Sequence, residues 1–170
     1  MFRVTLTFAI PSAKVVQSAL LWKFVANIVF QGPAALTLDG KGRIAMPARH
    51  RELLAAMGTN QLTVTKHPEG GLLIFPRPAW ELFRDKVAAL PMEASGWKRV
   101  FLGNAMDVEI DASSRVLIAP ELRTSAGLVR DVMLLGMGSH FELWDAMRHA
   151  EHEARVMQSE MPESLKSFSF

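Results

Sequence analysis

The chain has 170 residues, of which 49 % are hydrophobic and 21 % charged; this is ordinary globular usage and sets disorder aside. It has no cysteine, which excludes disulfides, thiol catalysis and cysteine-based zinc sites and fits a reducing compartment. The net charge of +2 conceals an asymmetry: residues 1–28 hold three Lys/Arg and no acid, residues 29–95 eight Lys/Arg against six Asp/Glu, and residues 96–170 eight against eleven. A polyanion should therefore meet the N-terminal part.

Residues 1–28 read as an extension outside the fold. The apolar stretch Val4–Ile10 is short for a secretory signal and is soon followed by Lys14, and the next apolar stretch is split by Lys23. No apolar run in the chain reaches the roughly 20 residues that span a bilayer.

From residue 30 onward the chain repeats itself at a shift of about 72. Phe30-Gln-Gly32 matches Phe101-Leu-Gly103, and Leu38-Asp39-x-x-x-Arg43 matches Ile110-Asp111-x-x-x-Arg115. Each arginine leads into an apolar stretch and a proline, Pro47 or Pro120, which suits the first turn of a helix. The second copy has one extra residue before its proline, as a bulge would produce. Then come a helix, a strand (62–65; 132–135), a glycine-containing turn (Glu69-Gly-Gly71; Gly136-Met-Gly138), a strand (72–75; 141–144) and a longer helix. The strands flanking Gly40-Lys-Gly42 read as a hairpin, and so do those flanking Glu69-Gly-Gly71. A linker is expected near Leu90–Gly96. One such unit has a thin core, so the two copies should pair.

At the first turn, Asp39 and Arg43 can meet and brace it, as can Asp111 and Arg115 at the second. Lys41, Arg43, Arg49 and Arg51 cluster in the first copy, while the second replaces Gly-Lys-Gly with Ala-Ser-Ser and carries Glu121 after its proline. Such cations suit phosphate contacts, and arginine can also pair with guanine. No enzyme motif for nucleophilic acyl transfer, phosphate binding or dinucleotide binding is present. His149 and His152 read as a solvated helix face rather than metal ligands, and His50, His67 and His140 as isolated loop residues. Trp80, Trp97 and Trp144 read as core or helix-packing residues.

These residues carry a family resemblance. Phe-x-Gly, then Leu-Asp-x-Lys-Gly-Arg-Ile-x-x-Pro-x-Arg-x-Arg, then the second Asp-x-x-x-Arg with Leu-Ile-Ala-Pro-x-Leu-Arg, then Phe-Glu-Leu-Trp, resemble the MraZ family of bacterial transcriptional regulators over Phe30 to about Met147. The resemblance implies a mixed, mainly β (α+β) fold of two tandem AbrB-like swapped-hairpin repeats, forming a pseudo-two-fold β-barrel with short helices. Its expected parts are an extension at 1–28, domain 1 at 33–80, a helix and linker at 81–103, domain 2 at 104–147 and a helical, mobile tail at 148–170. It also implies a ring-like homo-oligomer in the cytoplasm and on the nucleoid. That oligomer would bind double-stranded DNA at repeated promoter sites, mainly as a repressor of the division and cell-wall gene cluster that includes its own gene. Arg43 would be the key DNA-binding position, with Lys41, Arg49 and Arg51 around it. Asp39 would orient these cations rather than contact DNA, and Asp111 and Arg115 would serve fold or subunit contacts. No catalytic residue, metal, cofactor or membrane partner is implied. Family members begin Met-Phe-x-Gly where this chain has Val29-Phe30-Gln31-Gly32, so residues 1–28 are expected to come from a start placed too far upstream. The rival reading is a protein-interaction module without DNA contact, which salt-sensitive DNA binding would distinguish.

Overall fold

The computed structural model describes residues 29–166. The readings made for residues 1–28 and for 167–170 lie outside the described residues. The elements are β1 (Phe30–Thr37), β2 (Arg43–Ala45), α1 (Ala48–Ala56), β3 (Gln61–Lys66), β4 (Leu72–Pro76) and α2 (Arg77–Ala88). A 3-10 turn (Met92–Ala94) and α3 (Ser95–Phe101) follow. The second copy supplies β5 (Met106–Glu109), β6 (Arg115–Leu117), α4 (Pro120–Ala126), β7 (Asp131–Gly138), β8 (Phe141–Asp145) and α5 (Ala146–Gln158), and α6 (Glu163–Lys166) comes last.

The fold is mixed α+β with a mainly antiparallel sheet. Six strands run in the order β1-β7-β8-β4-β3-β5, and β2 and β6 form a separate two-stranded ribbon. The sheet stays open between its edges β1 and β5, so the ladders do not close the expected barrel. Its two hairpins are local, β3 with β4 and β7 with β8. The hairpin expected around Gly40-Lys-Gly42 is corrected. Its turn is tight, because the Asp39 N–H donates to the Arg43 carbonyl at 2.9 Å and the Gly42 N–H to the Asp39 carbonyl at 2.8 Å. Its two strands then part: β1 pairs with β7 and β2 with β6, both from the other copy. In the same way β5 pairs with β3.

The registers obey the repeat. Leu36 faces Val132 and Val108 faces Leu62, while Ile44 faces Val116 at the centre of the ribbon. The interlock has a physical cause. Ile44 and Val116 are both fully buried, in one core cluster to which both copies contribute. Pairing across copies buries both in one core, at about 25 cal/mol per Å2 of apolar area removed from water.

The extra residue of the second copy makes no bulge. Three residues of β2 pair continuously with three of β6. No residue is inserted there: the shift of 72 runs on into the helices, so that Ala119 caps α4 where Pro47 caps α1, and the second proline has only moved one place, to the first residue of its helix. The linker region is partly helical, and the Phe-x-Gly match does not persist in structure. Phe30 opens β1, but Phe101 closes α3.

Central strand β4 is buried on both faces. Leu72 and Ile74 face a large core with Phe30, Leu54, Leu134, Phe141 and Leu143. Leu73 and Phe75 face a smaller cluster under α2, with Ala79, Trp80 and Phe83. Trp97 lies half outside, 51 % exposed, against Phe101.

The histidine readings are corrected in part: His67 and His140 do lie between strands, but neither is isolated. His50 lies on α1 and is 1 % exposed, its ring 4.9 Å from that of Phe141. His140 stacks on Phe75 at 4.9 Å. His152 stacks on Trp144 at 5.3 Å and pairs with Glu69 at 3.2 Å, so the half-buried α5 histidines cover a buried tryptophan on one side. His67 meets Glu142 at 3.4 Å. Except for His152 on Trp144, these contacts join residues far apart in the chain, which periodicity cannot register.

Candidate nucleic-acid interface

The two Asp-x-x-x-Arg turns fold alike. Asp39 Oδ1 accepts the backbone N–H groups of Lys41 and Arg43, both at 2.9 Å. Asp111 Oδ1 accepts those of Ser113 at 2.8 Å and Arg115 at 2.9 Å. The remaining carboxylate oxygen holds the arginine: Arg43 Nε donates to Asp39 Oδ2 at 2.8 Å and its Nη2 lies 2.7 Å away. The second brace is looser, with Arg115 Nε 3.3 Å from Asp111 Oδ2. The Arg43 side-chain hydrogen bond is the main reason that the Asp39 pKa is lowered to about 2. Asp111 is lowered as well, first by the Arg115 backbone N–H.

The interlock brings the braces together. Arg43 Nη1 lies 3.8 Å from Asp111 Oδ2, and Arg115 Nη1 lies 3.8 Å from Asp39 Oδ2. The four side chains make one electrically neutral cluster in which each guanidinium sees both carboxylates. Arg43 is held here with its side chain 23 % exposed. A guanidinium has five N–H donors. Asp39 engages the Nε and Nη2 side of Arg43, and Nη1 has only the long contact. Donors therefore remain for an outside acceptor.

The other candidate cations divide. Lys41 is exposed on the turn, and its ammonium has no partner among the described residues. Arg51 crosses to the second turn, where its Nη1 donates to Ser114 Oγ at 2.6 Å. Arg49 does not join the cluster. Its Nη2 donates to the Pro33 carbonyl at 2.7 Å, six residues before Asp39 on β1, or roughly 20 Å of extended chain. Pro33 occupies an edge strand, where a missing N–H leaves no ladder bond unmade.

Sequence reasoning missed Arg123. This α4 residue packs on the first turn: a Cβ added at Gly42 would lie 2.5 Å from its Cζ and 2.7 Å from its Nε. Arg123 stands 72 residues after Arg51, just as Gly42 stands 72 before Ser114. That shift was the available signal, since Arg51 was already a candidate. Among the described residues, Lys41, Arg51 and Arg123 have no carboxylate partner. Around a neutral four-residue cluster they leave three uncompensated positive charges. No group of three potential metal ligands occurs among the described residues, and no helix there is long and apolar enough to cross a membrane.

The model of the MraZ protein family matches residues 29–98 and 101–166. A protein of Methylibium petroleiphilum named "Transcriptional regulator MraZ" is 72 % identical over 146 residues, covering 86 % of this chain and all of the relative. Proteins of the same name from Leptothrix cholodnii and Burkholderia mallei are 64 % and 59 % identical, over 86 % and 84 % of this chain and the whole of each relative. The chain belongs to the MraZ family.

Proposed function

We propose that the protein is a transcriptional regulator that binds double-stranded DNA through the end of the molecule carrying the two Asp–Arg turns. The observation that carries this reading is charge placement. An internally neutral Asp–Arg cluster is flanked by Lys41, Arg51 and Arg123, which have no anionic partner among the described residues. Clustered cations without counter-ions suit a phosphate backbone, and the unengaged donors of Arg43 suit a base edge. The name shared by the relatives supports the same reading.

In this proposal the two interlocked repeats, 33–80 and 104–147, act as one DNA-reading unit. Several units in a ring-like homo-oligomer, in the cytoplasm and on the nucleoid, engage repeated sites upstream of the division and cell-wall genes, including the protein's own gene, and repress them. Linking the units raises the effective concentration of each turn at the next site, so a modest charge per subunit suffices.

Electrophoretic shifts on the upstream repeats test the reading. Arg43→Ala should nearly abolish specific binding. Lys41→Ala should weaken cognate and unrelated DNA alike and lower the salt slope by about one. Normal binding of cognate repeats by Arg43→Ala would refute the assignment. A second reading, an assembly module without DNA contact, draws on the exposed Met147, Val156 and Met157 of α5. It predicts binding to partner proteins that is indifferent to DNA.

A further inference from the structure

We propose that the phosphate-binding surface at the first turn is composite, with Arg123 of the second repeat supplying one of its phosphate contacts. This rests on the DNA-binding reading and adds to it a residue from the acidic half of the chain.

The two turns have equivalent backbones: Gly42 has φ +78° and Ser114 φ +61°. Each is overlaid by an arginine from the other repeat's short helix, Arg123 on Gly42 and Arg51 on Ser114. The difference lies in what the turn offers. Ser114 presents a hydroxyl that accepts from Arg51 Nη1 at 2.6 Å. Gly42 presents no side chain, and the Arg123 guanidinium lies flat over it, with no hydrogen bond or ion pair among the described residues. Its Nε is buried and unpaired. A buried, unpaired donor on a charged group is costly. An anion at the outer edge of the same guanidinium would stabilise the whole group in its place.

The turns consequently differ in charge. The first gathers Lys41, Arg43 and Arg123 against Asp39, or +2. The second gathers Arg51 and Arg115 against Asp111, or +1, and its Arg51 already has a partner. Glycine at position 42 thus does two things. It adopts the left-handed turn without strain, and it leaves room for a second-repeat cation beside Lys41. The ligand chemistry is the phosphodiester backbone of a duplex, because a guanidinium packed flat against a turn in this way reads charge and not base identity.

The test is a salt series of dissociation constants for the full chain, on duplex DNA carrying the upstream repeats and on unrelated duplex, comparing Arg123→Gln and Arg123→Lys with the parent. Arg123→Gln is expected to weaken both DNAs by a similar factor and to reduce the log–log salt slope by about 0.9 for each subunit in contact. Arg123→Lys is expected to keep that slope. An unchanged slope in Arg123→Gln overturns the proposal, whether its affinity is normal or reduced. Equal losses of slope in the Gln and Lys variants overturn it as well, since they would mark a packing role. Failure of the parent protein to bind either DNA would instead remove the DNA-binding reading itself.

Discussion

Gly42→Ala tests the local physics of the first turn. Two costs are expected. Gly42 has φ +78°, a conformation that costs an L-residue about 1–2 kcal/mol. The new methyl would also lie 2.5 Å from Arg123 Cζ and 2.9 Å from its Nη1, too close to coexist. That obstacle is the end of a flexible side chain, so the guanidinium swings away and the steric part stays small. The loss should therefore be about 1–2 kcal/mol, and each kcal/mol lowers Tm by about 2–4 °C in a chain of this size. Gly40→Ala is the control. No heavy atom lies within 4 Å of its added Cβ, and its change should stay within about 0.5 kcal/mol. Thermal and urea unfolding of both variants, with Gly42→Ala repeated in an Arg123→Ala background, separates the two costs. The backbone cost should survive there. If Gly42→Ala matches Gly40→Ala, or loses its whole effect when Arg123 is gone, the assigned strain is wrong.

Gly136→Ala should do more damage than Gly42→Ala, because its Cβ would meet the backbone of β1, 2.5 Å from Gln31 N and 2.6 Å from Phe30 C. Backbone cannot swing aside, so about 3 kcal/mol or more is expected, and a wild-type urea midpoint would contradict the β1–β7 pairing. Acid should loosen the braces in a defined window. With its pKa lowered from 3.8 to about 2, Asp39 binds fewer protons folded than unfolded. Its contribution is therefore complete above 3.8 and lost as pH falls through about 2. A carboxyl titration that places Asp39 near 3.8 would rule out the brace. His50 has its pKa lowered from 6.5, first by burial and then by Arg49. Its contribution is complete above 6.5 and is lost as pH falls below that value. Its counterpart 72 residues on is Leu122, so His50→Leu should fold, remove the buried Nδ1 that lacks a partner and flatten the pH dependence of stability. A pH profile as steep as the parent's would place the dependence elsewhere.

Much of the candidate site was legible from the chain alone because it is local. An aspartate four residues before an arginine across a glycine turn can accept two backbone N–H groups and hold the guanidinium, and both copies do so. The β3–β4 and β7–β8 hairpins are legible for the same reason, each being closed by its own short turn. The shift of 72 residues announced that two equivalent units would share a core.

Tertiary structure alone decided which strand pairs with which. The turn after β1 has the chemistry of a hairpin, yet β1 and β2 part, and Ile44 and Val116 are buried against each other where the copies interlock. The same interlock fused two braces into one neutral cluster, drew Arg49 away to Pro33 and laid Arg123 on Gly42 across 81 positions of sequence. It also buried His50 between aromatic rings and set histidines of α5 over Trp144. Hydrogen bonds within a turn are determined by neighbours in the chain, and so residue types and spacing determine them. Burial and the partner of a long cation depend on which distant surfaces are removed from water together, and only the folded arrangement settles that.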